Sequence, residues 1–196
     1  MPIIVATSIM NNKLRTELLF LRERDVITRH KLADSGELEH DRYHPEMEKV
    51  HRENNSRIKR IIQDVGWPFE SIVGEDGAEA AWFIVQHAIL EPEFQKRCVS
   101  LLQAAVKQGE ANSWHLAYLQ DRVLIQEGKP QVFGTQHVAN NGRMEPLTIE
   151  DVKMANLKRA TLGLWSLEEH TAHLQKDYDS IQSNKGRVGD AQDLTP

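Results

Sequence analysis

Six residues able to move protons or hold polar ligands sit where helices should bury carbon: Asp25, His51, Asn54, Gln86, His87 and Asp121. A buried polar group without a partner costs about 1–3 kcal/mol, and an unpaired charge costs more. Such residues mark either an internal polar network or a site. Asp25 follows Leu21 by one helical turn and continues the Leu14–Leu18–Leu21 face, with Arg22 and Arg29 as helical neighbours. It reads either as an ion pair at the core edge or as a carboxylate facing a pocket. His51 and Asn54 share the inward stripe of Met47 and Ile58. Gln86 and His87 close a segment too apolar to have a solvated face, so at least one of them should be buried. His87 can act as acid or base near neutral pH, whereas Gln86 can only donate and accept hydrogen bonds. Asp121 lies on the Trp114 side of its helix. Arg122 points about 100° away from it. An acid–base role for Asp121 and a structural clamp between helices both remain open.

Three further residues belong with this group. In Gly134-Thr135-Gln136 a glycine loosens an extended segment that ends in two good hydrogen-bonding side chains, which suits one wall of a ligand pocket. Metal chemistry needs a separate weighing, because nine histidines are present. Glu37/His40 and Glu48/His51 both have the Glu-x-x-His spacing of carboxylate-bridged di-iron bundles. Pro45 separates the two copies, and two bundle helices cannot fit between them. No metal and no cofactor are therefore expected, with a metalloenzyme using His51, His87 or His170 kept as an alternative. The lone Cys98 rules out an internal disulfide and a multi-cysteine zinc site, and it lies on the Phe94–Leu101 stripe as a core thiol. Zincin, phosphate-loop, dinucleotide and nucleophile-elbow motifs are absent.

The elements that must position these residues are mainly helices. Leu14, Leu18, Leu21 and Leu32 predict a first helix from Asn11 or Asn12 to about Gly36. A polar loop, a candidate lid, runs to His44, and Pro45 opens a second helix that Gly66-Trp67-Pro68 ends. A third helix is expected over Glu75–Leu90, a fourth from Pro92 to about Gly109 and a fifth over Asn112–Gln126. Asn140-Asn141-Gly142 between extended runs predicts a small hairpin within Gln131–Leu147. Two more helices follow, over Thr148–Leu162 and Ser166–Ser183, the latter opened by a capping box. The expected fold is mainly α: a single-domain helical bundle of about seven helices over residues 1–183, with a small β-hairpin and a flexible tail at 184–196.

The totals narrow the function classes. The chain has 196 residues, 27% of them charged, and a net charge of −5, which suits a globular domain and argues against general affinity for nucleic acid. No basic leader and no apolar run near the roughly 18 residues of a membrane span is present. A cytoplasmic location is expected, with no membrane and no nucleic-acid partner.

Several motifs then occur in an ordered series: GWP at Gly66–Pro68, VG at Val73-Gly74, AAWFIVQHA at Ala80–Ala88, PEFQ at Pro92–Gln95, YLQDRV at Tyr118–Val123 and QVFGTQ at Gln131–Gln136. Over Leu14–Leu167 the chain resembles a bacterial domain-of-unknown-function family. It departs from that family at Ile89, where such proteins often carry aspartate after QHA. The resemblance implies that Gln86, His87, Gln95, Asp121, Arg122, Thr135 and Gln136 belong to one shared site. It also implies a link with natural-product pathways, in which ring closure to an aziridine with loss of sulfate is the example.

Amides, carboxylates, arginines and histidine without a metal set suit proton transfer on a polar or anionic small molecule. The expected catalytic residues are His87, Asp121 and Asp25. Arg29 and Arg122 would hold an anionic or leaving group. Gln86, His51, Asn54, Gln95, Thr135 and Gln136 would bind and orient the substrate. A non-catalytic ligand-binding or partner subunit is the second expectation, and a protein partner or homo-oligomer is compatible with either.

Overall fold

Most of the helices begin where a side chain can satisfy a free backbone N–H group. The computed structural model describes residues 10–38 and 43–192. Asn11 caps α1 (Asn12–Asp34), its Oδ1 accepting from the Leu14 N–H at 3.1 Å. His44 caps α2 (Pro45–Val65), and Pro45 fills its first turn. Asn112 and Asp151 cap α5 (Ser113–Gln126) and α6 (Val152–Thr161) in the same way. At α7 (Leu167–Gln192) the capping box is complete: Glu169 N–H donates to Ser166 Oγ, and Ser166 N–H donates to Glu169 Oε2. With α3 (Glu70–Gln86), α4 (Pro92–Lys107) and the antiparallel pair β1 (His137–Asn140) and β2 (Arg143–Pro146), the described residues form seven helices and one hairpin, as expected.

α3 is the central element and packs most extensively on α1. Its small residues Ala78, Ala80 and Ala81 are buried and let the helices approach closely. Leu18, Ile58, Ile84, Cys98, Leu102 and Leu119 bring α1, α2, α4 and α5 to the same core. Cys98 is a buried free thiol, and burial pushes its pKa up to about 12.

Four elements have bounds that differ from the pattern in the sequence. The helix expected over Glu75–Leu90 starts at Glu70, crosses a break at Gly74 (φ 75°) and ends at Gln86. His87 is therefore its C-cap residue, with φ −88° and ψ 0°, and not an interior helical residue. The hairpin is shorter than its apolar run. Asn141 and Gly142 take positive φ as the Asn-Gly signal requires, while Val132 and Phe133 lie outside the paired strands. α6 starts at Val152 because Asp151 supplies the cap. α7 continues beyond Ser183 to Gln192, into part of the expected tail. The lid expectation and the first Glu-x-x-His pair fall partly on residues 39–42, and the rest of the tail falls on 193–196; both lie outside the described residues.

Candidate functional site

Asp25 is fully buried in α1, and two histidines converge on one of its oxygens. His87 Nδ1, from the end of α3, lies 2.9 Å from Asp25 Oδ2. His51 Nε2, from α2, lies 2.8 Å from the same atom, off the ideal hydrogen-bond direction. The other ring nitrogen of His51 meets the Tyr43 hydroxyl at 2.5 Å. Three helices and the segment before α2 thus build a continuous chain, Tyr43–His51–Asp25–His87. The two imidazole rings are 5.2 Å apart, and Phe83 packs on His87 at 4.1 Å.

The electrostatics follow from burial and from this pairing. Burial alone would raise the Asp25 pKa, but hydrogen bonds from His51 and His87 outweigh it and hold the carboxyl well below the usual range. Desolvation lowers His87; Asp25 opposes this, while His51 and Arg122 add to it. Burial, with Glu48 and Asp25 nearby, pushes Tyr43 up to about 12. Near neutral pH the chain therefore holds one carboxylate, a neutral His87 and a neutral phenol.

This chain opens into a cavity of about 260 Å³ lined by Tyr43, His51, His87, Arg29, Arg122 and Ile89. Leu38 and Met47 give it an apolar side. Among the described residues neither Arg29 nor Arg122 has an ion pair or hydrogen bond, and Arg122 Nε is buried. Desolvation lowers Arg122 to about 10, which leaves it protonated at neutral pH.

Other expected site residues lie elsewhere, and each is engaged with backbone. Asp121 is fully buried below the loop that precedes β1. Its Oδ1 accepts from the N–H groups of Val132 and Phe133, and its Oδ2 from the N–H and hydroxyl of Thr135. Both oxygens are taken by donors of the loop, and Asp121, which does not line the cavity, ties that loop to α5. Gln136 bonds Thr135 Oγ1 at 2.8 Å and belongs to the same tie. Asn54 donates to the Leu21 carbonyl and accepts from Arg24, joining α1 to α2. Gln95 donates to the Val85 and Gln86 carbonyls and so fixes the end of α3 just before His87. Gln86 reaches the Tyr118 carbonyl at 3.4 Å.

Two residues with clear roles carry little signal in the sequence. Tyr43 sits in an aperiodic polar loop. Arg159 is almost fully buried and donates to the carbonyls of Trp165, Phe133 and Gly134, although its position in α6 resembles any basic surface site. Gln131 could have been suspected from its place before an apolar pair, and it brackets the same loop through the Gln136 and Leu147 carbonyls.

Among the described residues, Asp25, His51 and His87 also form a group able to hold a metal ion, since their ligand atoms all lie within 4.8 Å of one another. Neither copy of the Glu-x-x-His spacing supplies this group's carboxylate; Glu48 pairs with Arg52 instead.

Residues 12–182 match the family described as a family of unknown function (DUF6624). The chain belongs to this family. The matched span contains Asp25, Tyr43, His51, His87, Arg29 and Arg122, so the whole cluster lies within the DUF6624 region. No curated protein and no solved structure matches the chain. Ile89, the departure from the QHA-Asp pattern, stands on the cavity wall and brings no charge to it.

Proposed function

We propose that the chain is a metal-independent acid–base enzyme acting on a polar small molecule, with His87 as the group that exchanges a proton with it. The observation that carries this reading is the buried, ionised Asp25 bonded to His87 Nδ1. A carboxylate can only accept, so His87 must place its proton on Nδ1 and keep the Nε2 lone pair for the cavity. Asp25 orients the ring and stabilises the imidazolium that forms on proton uptake, the division of labour seen in His–Asp pairs generally. His51 carries its proton on Nε2 towards Asp25 and accepts from Tyr43 at Nδ1. The Tyr43–His51 arm thus positions Asp25 from its other side.

The ring closure implied by the resemblance is one reaction of this class. His87 would take the proton of an attacking amine as the nitrogen–carbon bond forms and the carbon–oxygen bond to sulfate breaks. The chemistry of the site supports the class, and this particular substrate is one proposal within it.

Histidine-selective 15N NMR tests the arrangement without a substrate. His87 should appear as the Nδ1–H tautomer with a pKa below the ordinary value, and Asp25→Asn should abolish that preference. A His87 that carries its proton on Nε2 would sink the reading. Once a substrate is found, His87→Gln should reduce turnover by about 10²–10⁴-fold.

A second reading has one observation in its favour: Asp25 Oδ1 is buried without a partner. A divalent cation on Asp25, His51 and His87 would satisfy that oxygen, and two histidines with one carboxylate are a common set for such ions. Two unpaired arginines in the same cavity oppose an added dication. Elemental analysis of untagged protein decides between them. Near-stoichiometric metal, removed together with activity by a chelator, would replace the first reading.

A further inference from the structure

Arginines on this molecule satisfy their charge in different ways: Arg60, Arg97 and Arg143 are exposed to solvent, Arg159 donates to backbone carbonyls, and five others find carboxylates. Arg15 pairs with Asp76, Arg22 with Glu79, Arg24 with Glu53, Arg52 with Glu48 and Arg57 with Glu17. Arg29 and Arg122 have no such partner among the described residues, and both line the Asp25–His87 cavity. Among the described residues the nearby carboxylates are already committed: Asp25 to the two histidines, and Asp121 to the 132–135 loop. Arg29 is exposed, but Arg122 is half-buried with its Nε fully so; withdrawing a guanidinium from water without a counter-charge is costly, and a protein keeps such a group where something else supplies the charge. We infer that the cavity is an anion site, in which Arg122 from the wall and Arg29 from the rim hold the carboxylate, sulfate or phosphate group of a small molecule beside His87.

The chemistry of the walls limits the ligand further. A guanidinium presents a planar fork of donors that matches two oxygens of an oxyanion. Leu38, Met47 and Ile89 add carbon surface to the same cavity, which suits an organic anion better than a bare inorganic one. The cavity of about 260 Å³ falls just below the usual small-molecule range of roughly 300–1,000 Å³, so the ligand is compact. This inference deepens the proposed function, because it concerns the same cavity, but it stands on the arginines and not on the His87 tautomer.

Sodium sulfate is the probe, titrated by calorimetry against sodium chloride at matched ionic strength. The wild-type protein should bind sulfate saturably in the millimolar range, and chloride should give no comparable isotherm. Arg122→Gln should weaken sulfate binding at least tenfold and Arg29→Gln about threefold. Ile89→Asp places a carboxylate on the wall, at a position already partly exposed, and should weaken binding as much as Arg122→Gln does. It therefore serves as the decisive variant if Arg122→Gln fails to fold. His87→Gln should retain most of the sulfate binding. Absence of saturable binding in the wild type, or equal binding in wild type, Arg122→Gln and Ile89→Asp, overturns the anion site. Either result leaves the proton-transfer reading intact, since that rests on the His87 tautomer.

Discussion

At the scale of single residues, the cluster depends on a carboxylate that has no solvent and two ring nitrogens to satisfy. Asp25→Ala should strand His51 and His87 without an acceptor and cost about 1–3 kcal/mol. Urea denaturation measures this, and a change below about 0.5 kcal/mol would show that the pairing contributes little. Tyr43→Phe removes one hydroxyl from the far end of the chain. It should cost about 0.5–1.5 kcal/mol and leave the His87 tautomer unchanged in the NMR spectrum. Asp25, His51 and His87 were legible in the sequence because each interrupts an apolar stripe. Asn54, Gln86, Gln95 and Asp121 give the same signal for another reason: they satisfy backbone groups between elements. A polar residue in a stripe thus reports burial, and only its partners distinguish a tie from a site. Tyr43 was not legible, because no periodicity constrains a loop and the contact that defines it is a tertiary one.

At the scale of elements, the least predictable part of the fold is the segment between α5 and β1. An apolar Val-Phe pair and an Asn-Gly turn suggested a longer ribbon. Instead Asp121 draws the N–H groups of Val132, Phe133 and Thr135 onto one carboxylate and bends the segment out of extended pairing. Asp121→Ala should leave those three donors unsatisfied and cost about 3 kcal/mol or more. The same variant should leave His87 titration unaltered, because the loop does not join the cavity; a shifted His87 pKa would mean that the two regions are coupled. Gly134 is needed in that loop on two grounds. Its φ is +66°, and an added Cβ would lie 2.9 Å from side-chain carbons of both Ile149 and Leu167. Gly134→Ala should therefore lower stability by about 1–3 kcal/mol. The end of α3 was misplaced for a related reason. Ala88-Ile89-Leu90 extends the apolar run, but the Gln95 amide takes the Val85 and Gln86 carbonyls and the helix stops at Gln86.

At the scale of the whole molecule, acid should act on the fold through histidines outside the cavity. His115 is buried against Trp82, with ring centroids 4.3 Å apart. Burial lowers it to about 4. His170 also falls to about 4, through burial first and then through the nearby charges of Arg159, His137 and His173. Both folded values lie below the unfolded value of about 6.5, so the unfolded chain binds more protons between them. The stability from these two groups is complete above about pH 6.5 and is lost as the pH falls towards 4, by about 3 kcal/mol each. His87 shifts in the same direction and adds to the loss, whereas the depressed Asp25 contributes only below about pH 4. Urea midpoints at pH 7, 5.5 and 4.5 should decline steadily, and a flat series would contradict the neutral, buried state of these rings. Among the described residues no helix is long and apolar enough to cross a membrane.

The position of His87 as the C-cap of α3 has an electrical consequence. A helix gathers partial negative charge at its C-terminal end, equivalent to about half an electron, and a cation there gains about 0.3–1 kcal/mol. In the proton transfer proposed above, His87 is neutral at rest and becomes cationic on taking a proton. The charge therefore appears at the pole of α3 that favours it. The backbone of the central helix thus favours the protonated state selectively, and it does so without adding a second carboxylate to the proposed anion site.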